Sequence, residues 1–182
     1  MTEFTIENIV VSTSLADSLN LNEVAKILPD TTYNPQETPA VILHKTVPTK
    51  AVVMIYANGI LMCTGTKTLH DAEIIIHTTT KILYIAGLSN TETPELNIQT
   101  LVASYELQKH LNLRAVAKAL TPRCNVEYNP TQFPGLIYKK ADTKTVVLLF
   151  ETGKMICTAT TVEDVSRAIE TVIQELSTCK KI

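Results

Sequence analysis

Residues 128–158, YNPTQFPGLIYKKADTKTVVLLFETGKMICT, organise the reading of this chain. They place Phe133 and Phe150 as exposed candidates at the mouths of two β-hairpins. Lys139, Lys140, Lys144 and Lys154 fall on the strands between and after them. The stretch reads as a basic sheet carrying apolar wedges.

The same stretch occurs earlier in weaker form, over residues 33–64, YNPQETPAVILHKTVPTKAVVMIYANGILMCT. Matching Y-N-P pairs Tyr33 with Tyr128. Matching the glycines pairs Gly59 with Gly153, Met62 with Ile156, and Cys63-Thr64 with Cys157-Thr158. Upstream, Leu19-Asn20-Leu21 with Val24-Ala25-Lys26 recurs as Leu111-Asn112-Leu113 with Val116-Ala117-Lys118. A repeat of about 90 residues divides the chain into 1–90 and 91–182.

A hydrophobic content of 45% over 182 residues supports a substantial core. No run reaches the roughly 18 apolar residues of a membrane span, and the first residues carry no basic and apolar leader, so an intracellular protein is expected. Cys63, Cys124, Cys157 and Cys179 are widely spaced, without C-x-x-C or a nearby histidine pair. They read as reduced, buried thiols, and no metal or cofactor is expected. His44, His70, His77 and His110 show no ligand spacing either.

The net charge of −2 conceals an asymmetry. Residues 1–95 hold five Lys against ten Asp or Glu, a balance of −5, while 96–182 hold eleven Lys or Arg against eight acids, a balance of +3. Only the second half suits a polyanion.

In chain order, alternation and β-branching predict a strand over 5–13, a short helix over 21–28 capped by Asn20 or Ser18, and an extended piece at 31–33 before the Asn34-Pro35 turn. Strands are expected over 40–45, 51–56 and 60–64, the last two joined by Asn58-Gly59. A helix over 69–83 follows, with Thr68 as N-cap and Gly87 beyond its end. Residues 89–94 read as a linker. The series then restarts with a strand over 96–104, a helix over 113–120, the Asn129-Pro130 turn, three strands, and a helix over 162–176. The strands join into one antiparallel sheet with both long helices on one face, and the other face is left open to solvent.

The first strand IENIV, the YNP turns, FPGLIY at 133–138 and GKMICT at 153–158 closely resemble the core domain of the TATA-binding protein family, over about residues 4–181. The resemblance implies an α+β fold of two pseudo-symmetric repeats forming a saddle, with a curved ten-stranded antiparallel sheet and four helices on the convex face. It implies a general transcription initiation factor, not an enzyme, that binds A·T-rich promoter DNA in the minor groove. The partners it implies are a transcription factor IIB-like protein and RNA polymerase. The compartment would be the nucleus in a eukaryote, or the cytoplasm or nucleoid in an archaeon or virus.

Carried over residue by residue, Phe133 and Phe150 match the intercalating pair, Asn8 and Val10 the groove-reading pair, and Val102 the second repeat's valine. Thr64 and Thr158 match the threonines near the dyad, and Lys139 and Lys154 match phosphate-binding positions. Met62 and Ile156 fall in the apolar floor. An A·T minor groove presents only acceptors, so amide and hydroxyl donors above an apolar floor fit it. Asn is a poor strand former, which sets Asn8 apart from an ordinary strand residue. The plainer alternatives are core phenylalanines and a solvated lysine face.

The first repeat departs from the family where the DNA chemistry lies. Thr38 and Tyr56 stand at the wedge positions, Glu37 and His44 at usual cationic ones, and Ile60 replaces a lysine. Thr100 replaces the second repeat's paired Asn, and the residues Asn129-Pro130-Thr131-Gln132 lack the glutamates used to dock the IIB-type partner. DNA contacts weighted to the second repeat are therefore expected. The alternative is a divergent paralogue acting mainly as a protein-interaction scaffold. An apolar open face is also a surface for homodimerisation when DNA is absent.

Overall fold

The computed structural model describes residues 3–139 and 144–178. Lys140, Cys179 and the Lys180-Lys181 pair lie outside the described residues. The elements run β1 (Thr5–Ser14), α1 (Leu21–Ile27), β2 (Thr31–Thr32), β3 (Ala40–Lys45), β4 (Ala51–Tyr56), β5 (Ile60–Thr66) and α2 (Leu69–Ile85). They continue as β6 (Asn97–Glu106), α3 (Leu113–Leu120), β7 (Asn125–Glu127), β8 (Leu136–Lys139), β9 (Val146–Leu149), β10 (Lys154–Ala159) and α4 (Val162–Thr178). The strand order is β2-β3-β4-β5-β1-β6-β10-β9-β8-β7, the expected ten-stranded sheet with four helices. Among the described residues no helix is long and apolar enough to cross a membrane.

Two compact units divide the chain, Asn8–Gln99 and Met1–Glu7 with Thr100–Ile182. In the first, alternation sends Val11, Val53, Ile55, Leu61 and Cys63 to one face of the strands, where they are buried. Val24 of α1 and Ala72, Ile75, Ile76 and Leu83 of α2 complete that core, with α2 packed on β5 and α1 on β3. In the second unit Leu101, Ala103, Val147, Leu149, Met155 and Cys157 are buried together with Val165, Ala168, Ile169 and Val172 of α4, which packs on β10 and β9.

The helix ends follow from local chemistry repeated in both units. Thr68 Oγ1 accepts from the Asp71 N–H at 3.1 Å and donates to its carboxylate at 2.7 Å, and Thr161 does the same with Asp164 at 3.1 and 2.9 Å. Asn20 and Asn112 cap the short helices. At the end of α2 the Leu88 N–H donates to Leu83 O at 2.8 Å and the Gly87 N–H to Tyr84 O at 3.0 Å. This Schellman closure needs the left-handed backbone of Gly87, φ 75°.

Three expectations change. The strand β7 lies before the Asn129-Pro130 turn, where the alternation of Asn125, Val126 and Glu127 is too short to mark a strand without its partner. Its three residues are held by pairing with β8, Asn125 opposite Lys139 and Glu127 opposite Ile137. Residues 89–94 are not a loose linker: the Asn90 N–H donates to Leu15 O at 2.7 Å, the Thr13 hydroxyl to Glu95 O at 2.7 Å, and Ser89 and Pro94 are buried. Finally β5 and β6 extend beyond their expected ends, to Thr66 and Glu106, because partner strands continue there.

Candidate nucleic-acid interface

The same alternation that fills the cores leaves the opposite strand face half-exposed. In the Asn8–Gln99 unit that face carries Val10, Ile42, Val52, Met54, Tyr56, Ile60, Met62 and Thr64, each half-buried. In the other unit it carries Val102, Ile137, Val146, Leu148, Phe150, Ile156 and Thr158. The fully buried strand residues have the other parity and form the cores with the buried residues of the helices, so both stripes are apolar surfaces without a helical cover.

Asn8 is fixed within its unit. Its amide nitrogen donates to Thr64 Oγ1 at 3.2 Å and its Oδ1 accepts the Gly65 N–H at 2.8 Å. The β1–β5 register slips between Ile9 and Val11, a bulge that leaves the Gly65 N–H free of the ladder and available to Asn8. The structure thus joins two sequence-predicted residues separated by 56 positions. In the second unit the ladder is unbroken, with Thr158 opposite Val102 and Ile156 opposite Ser104.

The two wedge candidates of the second unit meet. The rings of Phe133 and Phe150 lie with centroids 5.9 Å apart at 65°, edge to face. Both exposed candidates are half-buried. Each covers the other's edge, and both close over Gly135, where an added Cβ would lie 2.7 Å from Phe133 Cε1 and 3.2 Å from Phe150 Cε1. Gly135 is a functional candidate that the sequence reading passed over. Its signal was the F-P-G triplet, but the need for glycine depends on a ring that arrives from Phe150.

Identical turns present the corresponding residues of the first unit. The Thr38 N–H donates to Asn34 O at 2.9 Å, as the Phe133 N–H does to Asn129 O at 3.0 Å. The Gly59 N–H donates to Tyr56 O at 3.0 Å, as the Gly153 N–H does to Phe150 O at 2.9 Å. Thr38 and Tyr56 therefore occupy the same backbone sites as the two phenylalanines, with a hydroxyl in place of one ring. The Tyr56 hydroxyl lies 3.7 Å from Met54 Sδ. The extra residue of this repeat falls in the β3–β4 connection, residues 46–50.

Two of the lysines, Lys139 and Lys154, have carboxylate neighbours. Lys139 Nζ lies 2.7 Å from Glu127 Oε1, and Lys154 Nζ lies 4.0 Å from Glu106 Oε1. Neither carboxylate was foreseen, since Glu127 belongs to the unexpected β7 and Glu106 to the extension of β6. Lys144 is exposed.

Among the described residues no group of three His, Cys, Asp or Glu side chains is placed to hold a metal. The thiols of Cys63 and Cys157 are fully buried and pushed up to about 11 by that burial, with the charge of Asp164 adding to the effect at Cys157. Cys124 is only half-buried.

The family model for transcription factor TFIID, or TATA-binding protein, matches residues 3–86 and 95–179. The TATA-box-binding protein of Archaeoglobus fulgidus is 37% identical over 174 residues, which span 95% of this chain and 94% of that protein. The TATA-box-binding protein of Picrophilus torridus is 39% identical over 177 residues, 97% of this chain and 95% of its own. The solved structure of Methanococcus jannaschii TBP superposes with a TM-score of 0.85 at 38% identity, covering 96% of this chain and 98% of that one. In sequence, strand order and repeat, the chain belongs to the TATA-binding protein family, a family of DNA-binding transcription initiation factors.

Proposed function

We propose that this chain is a TATA-binding-protein-type initiation factor whose two repeats, 1–90 and 91–182, bind A·T-rich promoter DNA through the minor groove, with contacts weighted to the second repeat. The observation that carries this reading is the uncovered apolar strand face ending, in the second unit, at the Phe133–Phe150 pair. Phenylalanines entering a base step cost a few kcal/mol of unstacking, offset by the larger surface that bent DNA wraps.

Val10, Met62, Val102 and Ile156 supply the apolar floor, Asn8, Thr64 and Thr158 the donors, and Lys139 and Lys154 the backbone contacts. Tyr56 is a rim contact or an altered wedge. A minor groove of A·T pairs offers acceptors only, which suits this donor set. Recruitment of a transcription factor IIB-like protein and polymerase follows from the family, with an altered docking surface at residues 129–132.

Two observations favour a second reading, a scaffold with little DNA affinity. Thr38 stands at a wedge site, and both carried-over lysines have carboxylate neighbours.

A fluorescence-anisotropy titration of a labelled A·T-rich duplex against a G·C-rich one, between about 50 and 200 mM salt, separates the readings. Preferential A·T binding that falls with salt, together with bending of a doubly labelled duplex, supports the initiation factor. Equal or absent binding to both duplexes rejects it in favour of the scaffold.

A further inference from the structure

We propose that Glu127 and Glu106 are resident counter-anions of the second repeat: they occupy the ammonium groups of Lys139 and Lys154 and thereby set the strength and salt response of DNA binding. The inference rests on the DNA reading above and concerns the regulation of that same surface.

The geometry is specific to strand register. Asn125 lies opposite Lys139, so Glu127, two residues along β7, is the diagonal neighbour on the same face, and its Oε1 reaches Nζ at 2.7 Å. Glu106 lies directly opposite Lys154 across the β6–β10 ladder, at 4.0 Å. Both lysines share strand parity with half-buried residues of the uncovered face, Lys139 with Ile137 and Lys154 with Ile156 and Thr158.

All four side chains are substantially exposed: 43% and 58% for Lys139 and Glu127, 46% and 56% for Lys154 and Glu106. Exposed pairs of this kind add little to folding, because water screens them and ordering two long side chains opposes them. Their effect on an incoming phosphate is larger. The phosphate must either displace the carboxylate or sit beside it, and like charges at such separations repel. A lysine already balanced by a carboxylate also neutralises a phosphate less completely, so fewer of the cations condensed on the DNA are released on binding and the salt slope is shallow.

The test is the anisotropy titration on full-length protein with Glu127→Gln, Glu106→Gln, and Glu163→Gln as a control for net charge, Glu163 being exposed on α4. Each of the first two substitutions is expected to tighten binding about fivefold at low salt and to steepen the log–log salt slope by up to about 0.9. Glu163→Gln should do neither. The gain from Glu127→Gln should vanish in a Lys139→Met background, which a general charge effect would not do.

Affinities and slopes equal to those of Glu163→Gln overturn the proposal while leaving the DNA reading intact. Weaker binding by Glu127→Gln overturns it too, since the carboxylate would then be orienting its lysine for phosphate. A wild type that binds no duplex at any salt removes the DNA reading and this proposal together.

Discussion

The Phe133 and Phe150 rings meet edge to face, 5.9 Å between centroids, above the one glycine that leaves them room. Gly135→Ala would set a methyl against both rings at once. It is expected to reduce DNA affinity about as much as Phe133→Ala or Phe150→Ala, by more than about 1 kcal/mol, while leaving chemical unfolding within about 1.5 kcal/mol of wild type. Anisotropy and urea unfolding on the same variants check both halves. Unaltered DNA binding by all three would remove the wedge role.

Asn8 holds Thr64 and Gly65 across the β1–β5 bulge. Asn8→Ala leaves the exposed Gly65 N–H to water in place of its side-chain acceptor, at a cost of about 0.5–1.5 kcal/mol in unfolding free energy. Hydrogen exchange at the Gly65 amide should rise in the variant. An unchanged exchange rate would show that Asn8 is dispensable to the bulge.

The turn glycines differ in what surrounds them. Gly59 has φ 78° and an added Cβ would run into the Ala16 carbonyl, whereas Gly87 has φ 75° with open space around it. Gly59→Ala should therefore cost at least about 3 kcal/mol, combining backbone strain with a clash. Gly87→Ala should cost only about 1–2 kcal/mol, from strain alone. Thermal or urea unfolding distinguishes them, and equal losses would contradict the packing around Ala16.

Cys63 and Cys157 carry thiols raised from 9.0 to about 11 by burial. The folded state thus retains their protons to higher pH than the unfolded chain. Their stabilising contribution is complete below about pH 9 and is lost as pH rises through about 11. Urea unfolding followed from about pH 8 to pH 10.5 should show wild-type stability declining more steeply than that of a Cys63→Ala, Cys157→Ala double variant. Parallel curves would contradict this burial effect.

The sequence by itself determined the repeat, the caps and the division of each strand into a buried and an uncovered side. Each of these depends on residues close together in the chain: Thr68 with Asp71, Asn20 with Asn22, and the two-residue period of β4, whose ends at Ala51 and Tyr56 were read correctly. The family resemblance also rested on contiguous motifs, and both matched segments contain them.

Tertiary structure alone decided which side chains meet. Strand β7 exists because β8 offers it a ladder, and only that register brings Glu127 to Lys139. Asn8 reaches Thr64 because a bulge displaces the register of β1 against β5. Phe150 shields Phe133 because the β8–β9 hairpin returns it to the Asn129 turn. Periodicity fixes the face on which a residue lies, but its neighbour on that face is set by hydrogen bonds to a strand elsewhere in the chain, and these are not written in local sequence.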